Sequence, residues 1–290
     1  MMATTAVQPT QACVDKLLSS VNTVVTLPEI TTRIAAVVND HRSTAKDLHW
    51  IISHDPALVS RLLILVNSSF YARPISIDSI ERAIVLLGFD AVYHLAIAAT
   101  LGPLFKGGKV CDGFTAKDLW THCVAVAAVS KEMARWVGYP PAEEAFLAGL
   151  LHDVGLIAAL QAARGSLRKV CERTQSGSES FTDLELEIVG ASHENLGAAL
   201  ARHWKFPATV REVAANHHDP LNACEQYRTF AVLVHIADML CCEQQIGFYL
   251  TGGKQPLDES AFRDIVSPSV ISLAREKLRS WVEPAIKVFC

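Results

Sequence analysis

Apolar residues recur at intervals of three and four along nearly the whole chain, the spacing that gives a helix one buried face. LPEITTRIAAVVND, residues 27–40, is the first clear case. Ser43 or Thr44 can cap a helix over AKDLHWIISH, and Asp55–Pro56 starts the next with a cap and a proline in its first turn. Asp78-x-x-Glu81 has capping-box spacing ahead of RAIVLLG, which Gly88 ends. DAVYHLAIAATLGPLF is a further apolar helix, and the Gly- and charge-rich KGGKVCDGF, residues 106–114, marks a boundary. Helices then resume: TAKDLWTHCVAVAAVSKEMARWVG, PPAEEAFLAGLLHDVGLIAALQAARG and SLRKVCERTQ. Thr182-x-x-Glu185 opens one predicted to run through His193 toward Trp204. ATVREVAANHH after Pro207, YRTFAVLVHIADMLCC and the tail from Pro268 follow. Strand signals are nearly absent.

The expected fold is therefore all-α and in two parts, an N-terminal helical bundle whose broad apolar faces pack it on a C-terminal helical domain. A tail over 1–14 is expected to be disordered; 15–110 forms an N-terminal helical subdomain, and 111–290 a second helical domain. The segment Asn67–Tyr71 reads as an ordinary helix end, or as a polar-aromatic one facing a partner or the groove between the parts.

Composition narrows the function. Half of the 290 residues are apolar and 19% are charged, a globular and not a disordered balance. The net charge of −4 argues against a general nucleic-acid binder, which ordinarily carries a basic patch. The acidic excess lies beyond residue 110, with 17 basic and 22 acidic side chains there against 9 and 8 before it. MMATTAVQPTQACV lacks a charged region followed by an apolar core, so no secretory leader is expected. No unbroken apolar run approaches the roughly 18 residues of a membrane span. Eight cysteines without a C-x-x-C read as reduced, packed thiols, which suits a cytoplasmic protein; Cys241–Cys242 receive no role.

The chemistry concentrates in the second part. His122, His152, Asp153, His193, His217, His218 and Asp238 each sit in or at the end of a separate apolar helical segment. Packed helices can aim such groups into one interior pocket. Imidazoles with carboxylates suit iron, manganese or zinc, as one ion or two, with Asp153 able to bridge a pair. A metal-free hydrogen-bonded network is the alternative, because buried polar groups need partners of some kind. His41, His49, His54, His94, His203 and His235 read as ordinary hydrogen-bonded histidines, with His235 also placed to support Asp238 from the next turn. In SHDP, residues 53–56, Asp55 reads as a helix cap.

The order His122, His152–Asp153, His193, His217–His218, Asp238 resembles the HD superfamily of metal-dependent phosphohydrolases, with AGLLHDVG similar to its HD helix and HIADML to the helix bearing its last aspartate. Upstream, DPALVSRLLILVNSSFY and SIERAIVLLG resemble the HDOD family, a bacterial signalling module related to HD domains; the likeness covers about residues 15–245. It implies a first metal on His122, His152, Asp153 and Asp238. A second would sit on His193, His217 and His218 with Asp153 bridging, as in the HD-GYP cyclic-dinucleotide phosphodiesterases. Leu156 stands where those enzymes carry a lysine, and HHDPLNACEQY replaces their GYP stretch. The expected function is thus an HDOD-type signal-transduction output module with a divalent-metal site, binding a signalling protein or a small nucleotide-like ligand, with no nucleic acid and no membrane. The alternative is a metal-dependent phosphohydrolase in which Asp153 is catalytic.

Overall fold

In the computed structural model, residues 11–20, 29–39, 42–71, 76–105, 108–252 and 256–290 are described. Several helices start where a short polar side chain caps a backbone N–H. Helix α1 (Gln11–Ser19) begins within the segment expected to be a disordered tail: its Val14 is buried and Leu17 and Leu18 pack on the core. Then come α2 (Glu29–Asn39), α3 (Ala45–Ser53), α4 (Pro56–Val66), α5 (Ile80–Leu87) and α6 (Phe89–Leu101). Thr44 caps α3 in a box with Asp47, and the Asp55 carboxylate accepts the Leu58 N–H at 2.9 Å to start α4. Ser79, one residue past the expected Asp78, caps α5 by accepting from Arg82 N.

The expected boundary at 106–114 instead includes a short antiparallel hairpin, β1 (Lys109–Cys111) and β2 (Phe114–Thr115). Thr115, in a capping box with Asp118, launches the 22-residue α7 (Ala116–Val137). The rest of the chain supplies α8 (Ala142–Leu151), α9 (Val154–Ala162), α10 (Arg164–Ser176), α11 (Phe181–Ile188), α12 (His193–His203), α13 (Ala208–Asn216), α14 (Glu225–Glu243) and α15 (Pro268–Phe289). Two single helices expected from periodicity are each broken in two. The chain leaves α8 at His152–Asp153, where Asp153 has φ −97° and ψ 15°. The helix expected to open at Thr182 is capped by Ser180, ends at Ile188, and restarts at His193 behind a Ser192–Asn195 capping box.

Helices α7 and α8 pack against each other and are joined by α14 and α15 around them. Ala142–Ala162 is apolar and long enough to cross a membrane by length and composition, yet 89% of its most apolar window is buried inside the protein. One continuous core takes Leu48, Leu62 and Leu95 from before the hairpin together with Phe146, Leu151 and Leu200 from after it. A second cluster joins α7, α14 and α15 through Val126, Phe230, Leu233 and Leu278. The turn after α4 helps bind the two parts: fully buried Lys131 of α7 lies 2.9 Å from Glu143 Oε1, 3.9 Å from the Tyr71 ring centroid and 4.5 Å from that of Phe70. Asn67 donates to Ile77 O and accepts from Ile77 N, both at 2.7 Å. Asn67–Tyr71 is therefore more than an ordinary helix end.

Candidate metal centre

Asp153 sits in the break between α8 and α9, which turns its carboxylate across the helix stack. Two close backbone approaches set its surroundings. A Cβ on Gly155 would overlap the carbonyl oxygen of His193 and lie 2.6 Å from Gly197 N, so α9 and α12 meet through their main chains. Gly247, at φ 66°, leaves no room for a side chain between the loop after α14 and the Asp118–His122 stretch of α7. That loop then directs Ile246 O to His122.

The seven side chains singled out from sequence converge. His122 Nε2 lies 2.9 Å from Asp238 Oδ1 and 3.9 Å from Asp153 Oδ2. His152 Nε2 lies 3.4 Å from Asp153 Oδ2 and 4.0 Å from Asp238 Oδ1. On the other side, His193 and His217 each place Nε2 3.4 Å from Asp153 Oδ1. His193 Nε2 is also 3.2 Å from His217 Nε2 and 2.9 Å from His218 Nε2. The two oxygens of one carboxylate thus face two groups of imidazoles. All seven side chains are buried except His218, which is partly exposed at the rim.

The imidazoles are oriented from behind. His122 Nδ1 donates to Ile246 O at 3.2 Å, His152 Nδ1 to Gly149 O at 2.7 Å and His217 Nδ1 to Val213 O at 3.3 Å. His193 Nδ1 lies 2.6 Å from Glu185 Oε2, which also accepts the His193 backbone N–H at 2.9 Å. In a neutral imidazole that donates from Nδ1, Nε2 is a lone pair. Four such lone pairs aim at two carboxylates, and His152 Nε2, Asp238 Oδ2 and both Asp153 oxygens are buried without a hydrogen-bond partner. Buried acceptors facing acceptors are costly without a cation or added protons between them. The donor set, four or more imidazole nitrogens with carboxylate oxygens, fits a first-row divalent cation. Without one, protons take that place: burial disfavours the His193 imidazolium, but Glu185 and Asp153 outweigh it and raise its pKa to about 10. Burial pushes the Asp153 carboxyl up, and the imidazoles of His152, His217 and His193 more than reverse this, holding it well below the usual carboxylate range.

Several supporting groups escaped the sequence reading. Glu185 is fully buried behind His193, and Glu194 Oε1 accepts the His218 N–H at 3.2 Å. Cys242 donates its thiol to Asp238 Oδ1 at 3.4 Å and lies close enough to His122 and Asp238 to share an ion with them. None has a distinctive spacing: Glu185 stands among other acids in FTDLELEIVG, and its partner lies across a helix break. His235 donates from Nδ1 to His217 O at 2.7 Å, a role around the centre, though through His217 and not through Asp238. His49 and His54 lie at the surface, with His49 2.6 Å from Glu81. His94 is buried, and desolvation lowers its pKa to about 3. His41 lies outside the described residues.

A family model for the HDOD domain matches residues 24–220, crossing the hairpin and taking in most of the centre. A curated protein of Treponema pallidum (strain Nichols), itself uncharacterized, is 25% identical over 214 residues, which is 73% of this chain and 41% of that protein. The chain spans less than half the length of the curated relatives it matches. An HDOD domain protein of unknown function from Geobacter sulfurreducens is 23% identical with a TM-score of 0.81, over 96% of this chain and 97% of that one. A protein of Shewanella amazonensis SB2B, provisionally named a phosphohydrolase, is 24% identical with a TM-score of 0.75, over 96% and 98% of the two chains. These structural likenesses extend to the fold. With the family match running over about two thirds of its length, the chain belongs to the HDOD domain family.

Proposed function

We propose that this chain is a signal-transduction output module built around a buried centre for two divalent cations, and that it acts by binding a protein partner or a small nucleotide-like ligand. One observation carries the metal reading: imidazoles locked at Nδ1 turn their Nε2 lone pairs toward two carboxylate oxygens of Asp153 that nothing else satisfies. His122, His152, Asp153 and Asp238 would hold one ion, and His193, His217, His218 and Asp153 the other. Iron, manganese and zinc all suit this donor set. The burial of six of the seven groups supports a structural and signalling role, in which bound ions set the packing of α7, α8, α12 and α14.

Hydrolysis of a nucleotide or cyclic dinucleotide is the alternative, favoured by the bridging geometry of Asp153 and by the partly exposed His218. When bound, a cation pair supplies Lewis-acid charge to a phosphoryl group. Asp153, tying the two half-sites together, would then be the group on which activity depends. Against hydrolysis stands Leu156, a buried apolar residue where related phosphodiesterases carry a lysine.

Elemental analysis of the purified full chain tests the first proposal: about two equivalents of iron, manganese or zinc are expected, and Asp153→Ala should fall below about a tenth of an equivalent. Wild-type protein that stays below that level after reconstitution overturns it. A chelator should lower the melting temperature, because an ion bound only to the folded chain stabilises it by mass action, by about 2.7 kcal/mol at a hundred times its Kd. Turnover of a cyclic dinucleotide by metal-loaded protein, abolished in His152→Ala, would decide for the enzyme; an untouched substrate panel would decide for the module.

A further inference from the structure

A cleft of about 460 Å³ opens between α4, α6, α7 and α15, and none of the seven groups of the metal centre lines it. Its size falls within the roughly 300–1,000 Å³ typical of small-molecule sites. Ala98, Ala99 and Gly102 leave its floor open, since none carries more than a methyl group. Leu65, Phe105, Trp120 and Phe289 form apolar walls. Trp120 cannot swing in to fill the space, because its indole N–H donates to Phe289 O at 2.8 Å. Ile64, 62% exposed, stands at the mouth.

Two cations break this apolar lining, Arg61 and Lys117. Among the described residues neither has a carboxylate partner, and Arg61 Nε is buried with no acceptor. A guanidinium N–H withdrawn from water without an acceptor is unfavourable, and an anion is what satisfies it best. We propose that this cleft binds an amphipathic anion: an apolar, acyl-type body lying along Leu65, Phe105 and Phe289, with a single carboxylate or phosphate head between Arg61 and Lys117. The small floor residues set the width of the body, and the two cations select the charge of the head.

Calorimetric titration of the full chain tests this, with decanoate and octyl phosphate as anionic probes and decanol as the uncharged one, all below their aggregation limits. Saturable binding of at least one anion is expected, with decanol weaker by about tenfold or more, the effect of losing a charge-assisted hydrogen bond. The stronger of the two anions identifies the head. Arg61→Gln and Lys117→Gln should each weaken the anion by about tenfold, and Ala99→Phe should abolish binding by filling the floor. Lys117 is exposed, so its variant folds even if the phenylalanine variant does not. The proposal fails if neither anion saturates up to about 1 mM. It also fails if decanol matches the anions, or if both glutamine variants bind as the wild type does.

Discussion

Glu185 gives the centre a residue-scale property that its seven convergent groups do not: it holds His193 by the ring and by the backbone at once. Partners behind a metal-binding imidazole typically change affinity by about 10–100-fold when removed. Glu185→Gln should weaken cation binding within that range, with the fold retained, as read by competition with a chelating dye. Half-sites also predict a stoichiometry. His218→Ala should lose about one of two equivalents and Asp153→Ala both, since only Asp153 faces both groups. Equal loss in the two variants would argue against a bridging carboxylate. The seven groups could be picked out in sequence because histidines and aspartates are conspicuous in apolar helices. Glu185 and Cys242 were hidden, one among neighbouring acids and the other among ordinary core thiols.

Among the elements, the break at His152–Asp153 matters most. Periodicity treats residues 140–165 as one helix, because both halves are apolar all round and nothing in the pattern marks the turn. The cause lies in tertiary contact: Gly155 must bring α9 against the backbone of α12. Gly155→Ala should therefore destabilise the protein by at least about 1–3 kcal/mol, as overpacking does, with α9 and α12 forced apart. A denaturant midpoint unchanged from wild type would contradict that crossing. Caps were easier to read. Asp55 and Thr44 sit at the starts of α4 and α3 as expected, whereas α5 and α11 start at serines just off the expected position, with Ser79 accepting from Arg82 N and Ser180 from Asp183 N.

For the molecule as a whole, the core crosses the hairpin, so the N-terminal helices pack on the C-terminal ones as their broad apolar faces led one to expect. A charge- and glycine-rich segment looks like a linker in sequence whether or not the flanking helices share a core. One cooperative melting transition is expected, followed by far- and near-ultraviolet circular dichroism together. The Lys131 clasp adds a pH signature. Burial disfavours its ammonium and Glu143 only partly restores it, leaving the pKa lowered from about 10.5 to about 8. Between those values the unfolded chain holds a proton that the native chain has released, so this group's contribution to stability rises with pH. From pH 8 to about 10, wild type should gain stability relative to Lys131→Met; a constant difference would show the ammonium to be ordinary.

Helix α7 bears Trp120 on the cleft, His122 on the ion centre and Lys131 on the clasp, along a single rod of about 33 Å. A rigid bar loaded at one fitting strains the others. If decanoate tightens the grip on zinc by some factor, zinc must tighten the grip on decanoate by that same factor. Titrating each in the presence of the other would measure how stiff the bar is.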